Sequence, residues 1–255
     1  MKIIAHCLVK NEENFIWFAI SSVINFVDEI MVWDQGSVDN TISIIKSIKS
    51  NKIKFKSVRG EVAKLRQKMV EATSADWIFI LDGDEVWPEV SIKNLASSIK
   101  TTNCDVLVSP NYLLVGDIFH YLEEGAGKYR IGSRVGHYNI RALRKTPGLH
   151  IEGIYPNEAY ITGGRAKVQN LPHEKISFLE DKYLHASFLP RSKKDRKKLK
   201  YELGGEFSKD FYYPEVFFRP RPVAVSSPWR LMTTKTNAFA RLITPLKKLK
   251  RKLHD

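Results

Sequence analysis

Two cysteines in 255 residues, Cys7 and Cys104, stand far apart and form neither a Cys-x-x-Cys pair nor part of a His/Cys cluster, which argues against a zinc site or a disulfide framework. A reducing, cytosolic setting fits that scarcity. Long apolar runs are also missing, for none approaches the ~20 residues that cross a bilayer. The stretch Met1 to Val9 is shorter than a signal peptide, is followed at once by Lys-Asn-Glu-Glu, and reads as a first strand. No internal repeat or low-complexity tract appears. What is present is the composition of a globular chain, with 43% hydrophobic and 11% aromatic residues. Its net charge of +13 is unevenly placed: residues 1–190 carry 23 Lys/Arg against 22 Asp/Glu, and residues 191–255 carry 18 against 6. A near-neutral body is followed by a basic extension.

Hydrophobic periodicity predicts an α/β fold. Strands are expected at residues 3–9, 29–33, 53–58 and 77–81, alternating with helices at 14–26, around Ile42, Ile45 and Ile48, and at 61–72. Asp39 or Asn40 is the expected cap of the second helix. A helix at 90–100 and strands at 106–108, 138–143 and 158–161 follow. The last segment places Phe239, Leu242, Ile243, Leu246, Leu249 and Leu253 at helical spacing, with Pro245 expected to divide it or, capped by Thr244, to begin its second piece.

The chemistry concentrates at Ser74 to Pro88. The buried-strand run Trp77 to Leu81 ends on Asp82, Asp84 and Glu85, at the carboxyl end of a parallel strand, where open α/β sheets bind ligands. Gly83 lets backbone come close to a ligand, and hard oxygen donors so near one another suit Mg²⁺ or Mn²⁺ bridging to phosphates. The bland alternative is an acidic β-turn.

Four ordered fragments resemble one family, the family 2 glycosyltransferases of the GT-A type. Leu8-Val9-Lys10-Asn11-Glu12-Glu13 is similar to its opening strand and turn, and Asp34-Gln35-Gly36-Ser37-Val38-Asp39-Asn40-Thr41 to its second turn. Arg66-Gln67 stands in place of its Arg-Asn pair, and Asp82-Gly83-Asp84-Glu85 in place of its metal motif. The resemblance implies a Rossmann-like, mostly parallel GT-A domain over 1–190, with a nucleotide-binding half (1–90) and an acceptor-side half (91–190), and a basic, partly helical extension over 191–255. It implies inverting transfer of a sugar from a nucleotide-diphosphate donor, UDP-sugars favoured, to a glycan or lipid-linked hydroxyl, with Mn²⁺ or Mg²⁺. Val9, Asn11, Glu12, Asp34, Arg66 and Asp82 become donor contacts, and Asp84 a metal ligand. Arg141-Ala142-Leu143-Arg144 ahead of Gly153-Ile154-Tyr155-Pro156-Asn157-Glu158 resembles the family's Arg-rich strand and Gly-x-x-His-Glu turn, with Asn157 in place of the His. Glu158 is the expected base, with Glu152 its rival. His185, followed by Arg191, Lys193 and Lys194, is preferred over His173 as the late His at metal or diphosphate.

Two other readings compete. Phe79 to Val86 also resembles the first motif of a haloacid-dehalogenase-type phosphatase, in which Asp82 is the nucleophile and Asp84 the general acid, but this leaves the first 73 residues unexplained. The basic tail and its aromatics, Phe211, Tyr212, Tyr213, Phe217 and Phe218, suggest a nucleic-acid binder, although no nucleic-acid motif is present and no specific nucleic acid is expected. An anionic membrane surface suits a basic amphipathic terminus better, which makes a peripheral position on the inner face of the membrane the expectation.

Overall fold

The computed structural model describes residues 1–127, 129–193 and 202–252. Lys194 and Leu253 lie outside them. Its first half alternates β1 (Ile3–Val9), α1 (Ile16–Val23), β2 (Glu29–Asp34), α2 (Thr41–Ser47), β3 (Ile53–Ser57), α3 (Val62–Ala72) and β4 (Trp77–Ile80). The second half continues with β5 (Glu85–Val86), α4 (Glu89–Thr101), β6 (Val106–Val115), β7 (His120–Tyr121), β8 (Tyr129–Ile131), β9 (Arg134–Gly136) and β10 (Tyr138–Arg144). Then come β11 (His150–Glu152), β12 (Ala159–Ile161), β13 (Ile176–Phe178), β14 (Tyr183–Phe188), β15 (Gly205–Glu206) and α5 (Thr234–Lys252).

The main sheet runs β15-β7-β6-β10-β4-β1-β2-β3. The four strands β4, β1, β2 and β3 are mutually parallel, and β10 joins them to β6 by antiparallel pairing on both sides. β13 and β14 pair parallel with β6, and β14 also pairs antiparallel with β5. Parallel strands covered by helices on both faces must be apolar on both sides. In β1 the odd positions Ile3, Ala5, Cys7 and Val9 join the large core with α1, α2 and α4, while Ile4 packs with Met31, Trp33 and Met69 beneath α3. His6 occupies the α3 side as well, buried to 1% exposure.

Several expectations change. α1 is shorter than its 14–26 pattern because Asn14 is used outside the helix and the Phe26 N–H closes a tight turn on the Val23 carbonyl. α2 stops at Ser47, so Ile48 is in extended backbone. Asn40, its N-cap residue, makes no side-chain cap; Asp39 instead accepts the Thr41 N–H at 2.9 Å. β6 extends seven residues past the expected Val108, and β14 was not anticipated. α5 runs unbroken through Pro245: the Thr244 hydroxyl does not cap a second helix but donates to the Ala240 carbonyl at 2.7 Å and accepts the Leu203 N–H.

The aromatic stretch after residue 205 is part of the core. Val216 and Phe217 are each 1% exposed, Phe217 meets Phe18 of α1 edge to face, and Phe207 stacks on Phe211 at 3.8 Å. Phe211, Tyr213 and Phe217 of the set that prompted the nucleic-acid reading are thus spent on packing, while Tyr212 and Phe218 are exposed.

Candidate functional site

Parallel register brings three chain turns to one edge of the sheet. Val9 is level with Asp34 across β1 and β2, and the Leu81 N–H bonds the His6 carbonyl, so the loops after β1, β2 and β4 open side by side. The first two loops are hooked together. Asn11, at φ 55°, donates its backbone N–H to Ser37 Oγ at 2.8 Å and accepts the Val38 N–H on its side chain, and Asn is among the few residues that tolerate that backbone region. The Glu12 N–H is bound by Thr41 Oγ1 at 2.7 Å. Gly83, in the third loop, has no room for a side chain: a Cβ there would stand 2.9 Å from both Glu12 Cγ and Val9 Cγ1.

These loops enclose a cleft of about 510 Å³ whose walls include Val9, Asn11, Glu12, Arg66, Asp82, Asp84 and His185. The structure thus gathers seven of the nine residues that the sequence analysis assigned. Asp34 is the exception among the donor residues. It is fully buried, its carboxylate accepts the Gly36 and Ser37 N–H groups at 3.0 and 2.9 Å and the Ser37 hydroxyl, and Gln35 lines the cleft in its place.

Opposite charges are interleaved in the cleft floor. Asp82 lies between Arg66 (3.5 Å) and Arg141 (3.3 Å), and Arg141 also pairs with the fully buried Glu85. Burial raises the Asp82 carboxyl, but Arg141 and Arg66 outweigh it and hold it down at about 2. Glu85 goes the other way: burial dominates even against Arg141, and the carboxyl is pushed up to about 7. His185 Nε2 is 3.5 Å from Asp84 and 2.7 Å from Ser187 Oγ. Burial disfavours the charged imidazole, yet the Asp84 carboxylate prevails and its pKa is raised; burial likewise raises Asp84 and His185 brings it below its ordinary value.

Asp82, Glu85 and His185 each offer a ligand atom within 4.8 Å of the other two. Two carboxylates and an imidazole are a donor set that a divalent cation such as Mn²⁺ accepts. Asp84 borders this trio through His185 and also lies 3.8 Å from Arg191.

The rival residues separate clearly. Glu152, on β11, has a side chain 64% exposed and pairs with His150 at 3.0 Å. Glu158 is 13% exposed and sits 3.7 Å from Arg66 Nε, behind the cleft wall. His173 is an exposed residue in a 3₁₀ turn, away from the cleft. A second groove of about 660 Å³ adjoins the cleft, sharing His185, Ser187 and Arg191 with it and lined further by Tyr129, Tyr138 and Asn139.

The site also depends on residues that the sequence pattern did not single out. Glu85 stood in the expected metal motif without a role of its own, yet it anchors Arg141, which Tyr183 of β14 holds through its hydroxyl at 2.9 Å from Nε. Arg191, noted only as a nearby charge, pairs with Glu12 at 2.5 Å. Its segment is clasped to the first loop, with the Asn14 N–H on the Arg191 carbonyl, Asn14 Nδ2 on the Pro190 carbonyl, and the Lys193 N–H on Glu13 Oε1. No local pattern announces a partner about 180 residues away.

Residues 8–148, more than half of the chain, match the family described as Glycosyl transferase family 2. The chain belongs to that family. This replaces the phosphatase reading of Asp82 and Asp84. Among curated proteins, the glycosyltransferase SunS of Bacillus subtilis is 28% identical over 124 residues, covering 47% of this chain and 27% of SunS. An uncharacterized glycosyltransferase of Rickettsia felis is 38% identical over 85 residues, 33% of this chain and 29% of that protein. The chain thus spans under a third of the length of these relatives. Among solved structures, residues 1–349 of TarS from S. aureus in complex with UDP superpose with a TM-score of 0.50 at 15% identity, over 73% of this chain and 60% of that one. That likeness establishes the GT-A fold.

Proposed function

We propose that this family 2 protein transfers a sugar, with inversion, from a nucleoside diphosphate donor to an acceptor hydroxyl. The observation that supports this best is the cleft at the carboxyl ends of β1, β2 and β4, where Asp82, Asp84, Glu12 and His185 alternate with Arg66 and Arg191. Alternating charge of this kind suits a diphosphate that needs cations and a ribose that needs acceptors. UDP is the favoured nucleotide, since TarS has been solved with it.

Val9, Asn11, Glu12, Arg66 and Asp82 bind the nucleotide and sugar. Asp84 and His185, with Asp82 and Glu85 beside them, hold Mn²⁺ or Mg²⁺, which when bound neutralises charge on the leaving diphosphate. Arg191 is placed to take part of the same charge. The second groove receives the acceptor, a glycan or lipid-linked sugar, which Tyr129 and Tyr138 can stack upon and Asn139 can hydrogen-bond. The acceptor oxygen bonds to the anomeric carbon as the bond to the diphosphate oxygen breaks, and the hydroxyl proton passes to a carboxylate, for which Glu158, joined to the cleft through Arg66, is the candidate carried over from the sequence.

The test is a panel of nucleotide sugars assayed for thermal stabilisation of the chain and then for hydrolysis, each with Mn²⁺, with Mg²⁺ and with chelator. A UDP-sugar is expected to stabilise the chain and to be hydrolysed only with metal, and Asp84→Ala to abolish hydrolysis without unfolding the chain. Full activity in chelator would remove the metal from the reading, and absence of any nucleotide binding would remove the transfer.

A further inference from the structure

The helix α5 is amphipathic with its orientation reversed. A helix on a globular protein turns its large apolar side chains inward. Here Ala240 and Thr244 are the buried residues, at 1% and 8% exposure, and the charged side is tied down: Arg251 pairs with the buried Glu202 at 2.5 Å, and Lys248 pairs with Glu123 at 2.5 Å. On the opposite side, Phe239, Leu242, Leu246 and Leu249 are 48%, 75%, 67% and 57% exposed. Their spacing of three, four and three puts them in one row. The inward face is fixed by ion pairs and small side chains, so rotating the helix to hide this row would break Arg251 from Glu202 and bring bulk to where Ala240 packs.

The charge around the row selects its occupant. Thr234–Lys252 contains seven Lys and Arg and no Asp or Glu, and Lys250 and Arg241 flank the leucines at the exposed edge. A second copy of the chain would set two such basic rows against each other, and a nucleic acid would leave the leucines uncovered. An anionic lipid surface satisfies both features, with acyl chains receiving the leucines and headgroups the lysines. We propose that α5 is a docking helix that lays the protein on an anionic membrane by the Phe239, Leu242, Leu246 and Leu249 row. This does not rest on the assignment of donor residues.

The experiment is co-sedimentation of the full chain with vesicles of pure phosphatidylcholine and with vesicles containing about 30% phosphatidylglycerol, a composition that gives a strong negative surface potential. Wild type should bind the anionic vesicles, bind the neutral ones far less, and lose binding as salt rises. Leu242→Glu and Leu246→Glu, at positions already exposed, should each lower anionic-vesicle binding by about tenfold or more, with circular dichroism and UDP binding unchanged. Failure of wild type to bind, equal binding to neutral vesicles, or variants that bind like wild type would overturn the proposal. So would a solution dimer that Leu242→Glu abolishes, or RNA binding in place of vesicle binding. Vesicle binding by a protein that hydrolyses no nucleotide sugar would keep the docking and sink the transfer reaction, so the two readings fail separately.

Discussion

A histidine in the middle of β1 makes acid sensitivity calculable. His6 Nε2 lies 2.6 Å from Thr73 Oγ1, whose hydroxyl donates to the Met69 carbonyl at 2.7 Å, so the histidine must supply the proton from Nε2. Nδ1 is buried without a hydrogen-bond partner, and a second proton there would have no acceptor. Burial first, then the positive charges of Arg66 and Lys145, lower its pKa to about 3. The folded state thus holds His6 neutral while the unfolded chain binds a proton near pH 6.5, which makes this contribution fully present above pH 6.5 and progressively lost as pH falls toward 3. At pH 5 the unfolded imidazole is about 97% protonated and the folded one almost entirely neutral, which costs about 2 kcal/mol of stability. Any folded pKa below about 4 gives the same figure. For a chain of this size that loss corresponds to a fall of about 4–8 °C in Tm. The measurement is denaturant unfolding of wild type and His6→Gln at about pH 7.5 and pH 5, followed by tryptophan fluorescence. His6→Gln keeps an N–H for Thr73 but cannot titrate, so the wild type should lose about 2 kcal/mol more than the variant over that interval. Parallel pH dependence in the two proteins would refute the reasoning.

Three further outcomes are expected. Gly83→Ala forces Glu12 or Val9 to move, since its Cβ would sit 2.9 Å from each; UDP affinity, read by calorimetry, should fall by about tenfold, and unchanged affinity would show that the loop gives freely. Glu158→Gln should slow turnover by about 10²- to 10⁴-fold, the usual worth of a general base, with donor affinity little altered, whereas Glu152→Gln should be mild because that carboxylate faces solvent; a dead Glu152 variant beside an active Glu158 variant would reverse the assignment. Arg141→Met strands the buried Glu85 and should destabilise the fold by about 3–5 kcal/mol, and adding Glu85→Gln should restore part of this in chemical denaturation; a double variant no more stable than the single would show that the pair is not coupled.

The first ninety residues were legible because local rules govern them. Each parallel strand is a short apolar run, each helix carries its stripe, and the turns at Asn11, Ser37 and Gly83 announce themselves by residue type. The second half obscured its strands. Asn111 interrupts the apolar run of β6, and His185 and Ser187 that of β14, because these positions serve the pocket while the strand passes beside it. Asp34 shows how a motif residue can be read correctly for place and differently for contact: it sits at the strand end as expected, but the N–H groups of its own turn occupy its carboxylate. In α5 the periodicity was plain and its direction was not, for spacing shows that Leu242 and Leu246 share a face without saying whether that face meets protein. Proline misled there as well, since Pro245 lies on an exposed part of a helix that the Thr244 hydroxyl helps to hold together.

The clasp between Asn14 and Pro190 has a consequence for the order in which the protein comes into being. Its partners are 176 residues apart, and Lys193 is 180 residues from Glu13. β1, β2 and β3 pair across short connections and β4 returns to β1 once Ile80 has been made, but the wall carrying Arg191 waits until three quarters of the chain has emerged. A ribosome-bound chain halted before that point would have the loops after β1, β2 and β4 and lack the cation that faces Glu12 and Asp84. The cleft is therefore completed late in synthesis, well after the four parallel strands that carry its loops.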